Sequence, residues 1–363
     1  MTVQQTIARI GLVVGGFILI VTILEVGCSF FAPQPPLSLT TDLLNRGRFT
    51  TPGIHHNRQS EFATSLEVNS DGFVDYEWAD NQPTDILLIG DSFVQGAQVP
   101  MDKSIGRKLH NELNQNIKSM GIPGAGTTTE LLLLEHWIDV LNPEIVLIGF
   151  LPSNDILNNH PDLESKSDKP FVDLTEWRKA QSLSIQMNEP STDTSGLTAH
   201  SHLIRWFTRA MYTNQVQRTK LNKGDGVPLD WHVYNPEINP TWTEAWSITS
   251  ALFKQINEVC ASKGIVLKVV LFPSIEEVSP SYQKQIQSNY PSTHQWRFEQ
   301  GLEVQALEVL RSAGIDSNNI LSLYPSFISH VNSDDLYFQM DHHWTPLGHA
   351  LASTEVKDWL GSE

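Results

Sequence analysis

Ile86-Leu87-Leu88-Ile89-Gly90-Asp91-Ser92-Phe93-Val94-Gln95-Gly96 is the stretch on which the reading of this chain turns. Four apolar residues followed by turn-forming ones fit a short strand buried on both faces, as in a parallel sheet. Ser92 leaves that strand where open parallel sheets present ligand chemistry. A serine in this position alone is more often a helix cap or turn residue than a nucleophile. Its meaning depends on what the rest of the chain brings to it.

Downstream, the same pattern repeats. Asp102 to Lys118 predicts a helix with Ile105, Leu109 and Leu113 on one side, with a short strand suggested near Ile117. A glycine-dense loop, Gly121 to Gly126, precedes a predicted helix over Thr127 to Val140. Ile145 to Phe150 reads as a second strand ending in Leu151-Pro152-Ser153-Asn154-Asp155, and Ile265 to Phe272 as a third. Helices are expected at Trp242 to Ser262, Gln295 to Ala313 and Pro346 to Leu360, with a last short strand at Ile320 to Leu323. Strands alternating with helices of this length predict a three-layer α/β/α sandwich with a mostly parallel central sheet.

That domain is expected over residues 83–360, interrupted at about 158–240 by a polar stretch with Trp206 and Phe207 on a short helix, Leu203 to Tyr212. The interruption reads equally well as an insertion on the sheet edge or as a cap over the site. Upstream, residues 33–82 read as a proline-bearing linker and irregular arm, with a turn signal at Asn69-Ser70-Asp71-Gly72-Phe73. Ile10 to Ala32 contains one charge, Glu25, and its 23 residues are long enough to cross roughly 30 Å of hydrocarbon. We read residues 10–32 as a single transmembrane anchor, since no small-x-small cleavage site follows cleanly and Glu25 does not suit a lipobox before Cys28. Arg9 precedes the run while Arg46, Arg48 and Arg58 follow it, so the positive-inside count assigns no orientation.

The chain has 363 residues, 40% of them apolar, and a net charge of -17. It is long enough for a substantial core, and its charge argues against a nucleic-acid partner. Two cysteines, Cys28 and Cys260, offer neither a disulfide framework nor a metal-site spacing.

Near the far end stands Asp341-His342-His343-Trp344-Thr345-Pro346. A nucleophilic serine needs a base, and the base needs a carboxylate that holds its tautomer. Asp341 and His343, two apart in an irregular segment, can both face inward to meet Ser92; a turn would exchange the roles of His343 and His342. Asp341, His342, His343 and His349 also count as metal donors, but adjacent histidines do not easily share one tetrahedral ion, and no metal or cofactor is expected.

Taken together, Gly90-Asp91-Ser92, the Gly121 to Gly126 loop, Asn154-Asp155 and Asp341 with His343 resemble the four sequence blocks of the SGNH (GDSL-like) hydrolases, over roughly residues 69 to 357. The resemblance implies a flavodoxin-like SGNH hydrolase fold. It further implies Ser92 as nucleophile, His343 as base and Asp341 as its orienting carboxylate. The oxyanion hole it implies is made by Ser92 and Gly124 through their backbone N–H groups and by Asn154 through its side chain. Met120 stands where many members have asparagine. The expected activity is a serine esterase or deacylase acting through an acyl-enzyme on short acyl esters of carbohydrate or cell-envelope molecules. An O-acyltransferase using the same site and a non-catalytic polysaccharide-binding protein are the alternatives. Similar anchored members place the domain outside the cytoplasm, so the resemblance implies an extracytoplasmic domain on a single-pass anchor.

Overall fold

A computed structural model describes residues 3–31, 52–79, 82–164, 169–187, 201–204, 206, 226–237, 239–298 and 301–362. Residues 33–51, 80 and 81 of the linker and arm, and the predicted helix Leu203 to Tyr212 apart from Leu203, Ile204 and Trp206, lie outside them. The chain divides into two compact units, Met1–Ser38 with Thr192–Gln217, and Leu39–Ser191 with Arg218–Glu363.

In the first unit, helix α1 (Val3–Phe31) carries its large apolar side chains outward, and by length and composition it is sufficient for one membrane span. It begins before the expected anchor because the polar residues Gln4 to Thr6 continue the same helix. Glu25, the one charge in the apolar run, accepts hydrogen bonds from the Ser201 hydroxyl (2.6 Å) and from the N–H groups of His202 (2.6 Å) and Leu203 (3.0 Å).

The second unit is organised by a five-stranded parallel sheet. After an antiparallel hairpin of β1 (Gly53–Arg58) and β2 (Ala63–Val68) come β3 (Ile86–Gly90), β4 (Ile117–Gly121) and β5 (Ile145–Phe150). A second small hairpin, β6 (Pro170–Val172) with β7 (Ile185–Met187), stands outside the main sheet, which β8 (Val266–Leu271) and β9 (Ile320–Ser322) complete. The sheet order β4-β3-β5-β8-β9 is a doubly wound order that reverses direction between β3 and β5. Ile86, Leu87, Leu88 and Ile89 are essentially inaccessible, and burying each contributes roughly 1.5–3 kcal/mol.

Two helix layers cover this sheet, giving the three-layer sandwich. Besides the short α2 (Ser92–Gln95), α3 (Ile105–Leu113) follows β3, and α4 (Thr127–Leu141) follows β4. α5 (Pro152–Asn158) follows β5, α6 (Leu174–Ala180) lies between β6 and β7, and α7 (Pro240–Ser262) leads into β8. Beyond β8 come α8 (Ile275–Val278), α9 (Pro280–Asn289) and α10 (Glu303–Ser312), and beyond β9 α11 (Tyr324–Ser329) and α12 (Pro346–Leu360). α7 packs against α4 and α10, while α12 returns to pack against α3.

Three sequence expectations differ from the structure. The helix predicted over Asp102 to Lys118 ends at Leu113, because Asn114 takes a left-handed conformation (φ 53°) and Ile117 opens β4. The helix predicted from Gln295 begins only at Glu303; Pro291–Gln295 is a 3-10 turn instead. The upstream arm is not irregular throughout, since its described part contains the β1–β2 hairpin.

The turn signal at Asn69 is realised locally: Asn69 Oδ1 accepts from the N–H groups of Asp71 (3.1 Å) and Phe73 (3.0 Å). Beyond it Asp75 fastens the arm to the sheet. Its buried carboxylate meets Arg107 (2.9 Å), the Trp78 indole N–H (2.9 Å) and the Ser119 N–H (3.0 Å). Burial raises the Asp75 carboxyl above its ordinary range and Arg107 opposes that rise, as expected for a buried ion pair whose desolvation is only partly offset.

Candidate active site

β3 delivers Ser92 to the carboxyl edge of the sheet beside the point where the strand order reverses. Asp91 caps α2, its Oδ1 accepting from the Phe93 N–H at 2.8 Å, and Gly96 ends that single turn at φ 62°. Ser92 therefore sits at the first helical position, where a backbone N–H has no intrahelical partner.

The second contribution comes from the segment before α12. An isolated bridge pairs Tyr337 with Trp344, and the Phe338 N–H donates to the His343 carbonyl (2.8 Å). Within this tight loop His342 adopts φ 71°, so the two adjacent histidines diverge. His342 turns to Tyr282, with Nδ1 3.4 Å from the tyrosine hydroxyl. His343 turns to the serine: Nε2 lies 2.8 Å from Ser92 Oγ, and Nδ1 lies 2.6 Å from Asp341 Oδ1. Because an ionised carboxylate only accepts, this chain of contacts puts the proton of neutral His343 on Nδ1 and leaves Nε2 to accept from the serine. The Phe93 ring packs on the His343 imidazole at 4.9 Å, and Trp344 is buried among Phe93, Phe272 and Phe327.

Asn154, from α5 after β5, reaches the same place. Its Nδ2 donates to Asp91 Oδ2 (2.8 Å) and its Oδ1 accepts from Asn158 Nδ2 (2.7 Å). The amide is thus fixed at both ends, with one N–H remaining beyond the bond to Asp91. Gly124 lies in the turn after β4 with φ 69°, a conformation that a side chain would strain. Among the described residues, neither the Ser92 nor the Gly124 backbone N–H has a partner. Gly121 has a different constraint: a Cβ there would lie 2.1 Å from the Gln95 N atom, so β4 and α2 approach only across a glycine.

Ser92, Gly124, Asn154, Asp341 and His343 all line one cleft of about 260 Å³. Its other wall includes Asp230, Trp231 and Tyr234 from the 3-10 turn Leu229–Tyr234, with Ser274 and Glu276. Trp231 Nε1 donates to Glu276 Oε1 (3.0 Å), and the Tyr234 hydroxyl lies 2.8 Å from Ser274 Oγ. Sequence reasoning did not single out these wall residues, because no local spacing links residue 231 to residue 276.

The four candidate metal donors of the C-terminal motif do not form one set. His349 is buried on α12 with its ring 5.5 Å from that of Trp344, and burial pushes it down to about 3, so it is neutral. Among the described residues no group of three or more His, Cys, Asp or Glu side chains is placed to hold a metal ion.

Behind the serine lie three fully buried carboxyls. Asp91 is raised by burial, although the Phe93 N–H, His343 and Asn154 pull it back. Glu130 on α4 is raised well above its ordinary range by burial and then by Asp91; Asp155 is raised likewise by burial, Glu130 and Asp91. Asp155 Oδ2 accepts from the Leu151 N–H (2.8 Å), the role of a helix-start residue. Burial thus favours the neutral forms of Glu130 and Asp155, and Asp91 is the carboxyl of the three that bonds to Asn154.

Glu277, just past the cleft wall, carries a pH prediction. It accepts from the N–H groups of Ser274 (2.8 Å) and Leu302 (2.7 Å) and from the Tyr324 hydroxyl (2.9 Å), yet burial outweighs these and pushes its carboxyl up from 4.5 to about 7. A carboxyl raised on folding contributes stability that is whole below its unfolded pKa and is lost as pH rises through the folded one. Between pH ~5 and ~8 the wild-type chain should lose on the order of 2 kcal/mol from this group, and Glu277→Gln should not. Denaturant unfolding of both chains at the two pH values checks this; equal losses would contradict it.

No family model matches the sequence, and no curated protein matches it. Among solved structures, a lipase/acylhydrolase from Enterococcus faecalis is 12% identical with a TM-score of 0.37, covering 76% of this chain and 94% of that one. A GDSL-like lipase from Bacteroides thetaiotaomicron is 11% identical with a TM-score of 0.37, covering 78% of this chain and 92% of that one. An acetyl xylan esterase from Butyrivibrio proteoclasticus is 9% identical with a TM-score of 0.31, covering 76% and 63% respectively.

Proposed function

We propose that this chain is a serine-dependent ester hydrolase that works through an acyl-enzyme. The observation that carries the reading is the continuous line from Ser92 Oγ to His343 Nε2 (2.8 Å) and from His343 Nδ1 to Asp341 Oδ1 (2.6 Å). Those distances are what proton transfer from a serine to an oriented base requires.

Ser92 Oγ attacks the acyl carbonyl as its proton passes to His343 Nε2, and Asp341 stabilises the imidazolium that results. The carbonyl oxygen, now an oxyanion, is received by the N–H groups of Ser92 and Gly124 and by the remaining N–H of Asn154. Collapse breaks the ester C–O bond, and His343 returns the proton to the departing alcohol. Water, deprotonated by His343 Nε2, then attacks the Ser92 ester; the acyl C–O bond to Oγ breaks, His343 returns the proton to Oγ, and the acid is released.

A cleft of about 260 Å³ suits a short acyl group. Trp231 with Asp230 and Glu276 on its wall adds an aromatic face and hydrogen-bond acceptors, which suit a hydroxyl-rich carrier. We therefore assign acyl esters of carbohydrate or cell-envelope molecules as the substrate class. Transfer of the same acyl group to a sugar hydroxyl in place of water uses the same intermediate and is separated by its product. α1 serves in this reading as a single-pass anchor, with the catalytic domain outside the cytoplasm.

A fluorophosphonate, which reacts with activated serines, tests the reading. In the full-length chain in detergent, loss of p-nitrophenyl acetate turnover should follow labelling in direct proportion. Full labelling with undiminished turnover would overturn it.

A further inference from the structure

We propose that Glu61, at the tip of the β1–β2 hairpin, is a positioning residue that holds the loop bearing Asp341 and His343 in its working conformation. This rests on the reading of Ser92, His343 and Asp341 as the reacting groups.

Three consecutive backbone N–H groups of that loop end on the one carboxylate. Gln339 donates to Glu61 Oε1 at 2.8 Å, and Met340 and Asp341 donate to Oε2 at 2.9 and 2.8 Å. Successive N–H groups turned to one side form an anion-binding concavity, and an acceptor-only carboxylate has the lone pairs to fill it. Asp341 is consequently held twice, by its backbone N–H on Glu61 and by its side chain on His343.

The neighbours of Glu61 support the same docking. Phe62 packs on Phe338 with ring centroids 5.2 Å apart, and the Ser60 hydroxyl approaches Met340 Sδ at 3.6 Å. The loop is closed on itself by the His342 N–H to the Phe338 carbonyl (2.9 Å) and the Phe338 N–H to the His343 carbonyl (2.8 Å). Those internal bonds leave the N–H groups of residues 339 to 341 turned outward to Glu61. Without it they face water, and the loop loses its tie to the hairpin. A displacement of about 1 Å in a reacting group is enough to cost on the order of 100-fold in rate.

The test uses the full-length chain in detergent with p-nitrophenyl acetate, comparing Glu61→Ala, Glu61→Gln and Ser92→Ala. Glu61→Ala should lower kcat by about 10- to 100-fold with KM changed less than about twofold, because the substrate-binding wall is untouched. Glu61→Gln, which offers a single acceptor oxygen and no charge, should fall between. Sodium formate, a carboxylate small enough for the emptied concavity, should restore part of the kcat of Glu61→Ala and leave the wild type unchanged. A merely structural hairpin contact would not respond to formate. Wild-type kcat in Glu61→Ala, or a lowered kcat that formate does not raise, would overturn the proposal. Should Glu61→Ala fail to fold, the kcat of Glu61→Gln decides alone, a wild-type value overturning it. Turnover surviving in Ser92→Ala would instead overturn the underlying catalytic reading, so the two failures are distinguishable.

Discussion

Ser92→Ala should lower p-nitrophenyl acetate turnover by about 10⁴-fold or more, with KM little changed. The alanine removes the oxygen that His343 Nε2 meets at 2.8 Å and leaves the cleft wall intact, so binding survives while covalent chemistry does not. Residues that act as one unit are strongly non-additive. His343→Ala should therefore cost a comparable amount, and the double variant should be barely worse than either single one. Steady-state kinetics on the full-length chain checks both statements; additive losses in the double variant would show that the two side chains act separately.

Asn154→Ala should lower kcat by roughly 10²- to 10³-fold, or about 3–4 kcal/mol of transition-state stabilisation. Its amide is anchored between Asp91 and Asn158, so it does not reorganise when the oxyanion forms, and that preorganisation is what gives the donor its large effect. Asn154→Asp should be at least as damaging, since a second carboxylate would face Asp91 across 2.8 Å and accept where a donor is needed. Kinetics paired with thermal unfolding separates the catalytic loss from any loss of fold. An Asn154→Ala chain with wild-type kcat would remove Asn154 from the oxyanion hole.

The features that proved legible in the sequence are those with a short-range physical signal. Ile86 to Ile89 is a run too short and too apolar for anything but a buried strand, and Pro346 opens its helix at the first position after the Thr345 cap. Asp341 and His343 stand close enough in sequence to be read as a pair. The overrun at Asp102 to Lys118 has an equally local cause: Ile117 continues the apolar spacing of Leu109 and Leu113, and only the left-handed Asn114 marks the break. β1 escaped notice because His55, His56 and Asn57 show no apolar alternation and the strand is largely exposed. Glu61 had no local signal at all. Its partners stand about 280 residues away, and its geometry exists only once the hairpin and the C-terminal loop have folded against each other.

The most direct test of the central claim is capture of the intermediate itself. The full-length chain is mixed with p-nitrophenyl acetate, quenched in acid during turnover, digested and mapped by mass spectrometry. The expected result is an acetyl group on the peptide containing Ser92, absent from Ser92→Ala and accumulating to a higher level when deacylation is slowed. Turnover with no acetylated Ser92 peptide, or with the acetyl group on another residue, would contradict the account.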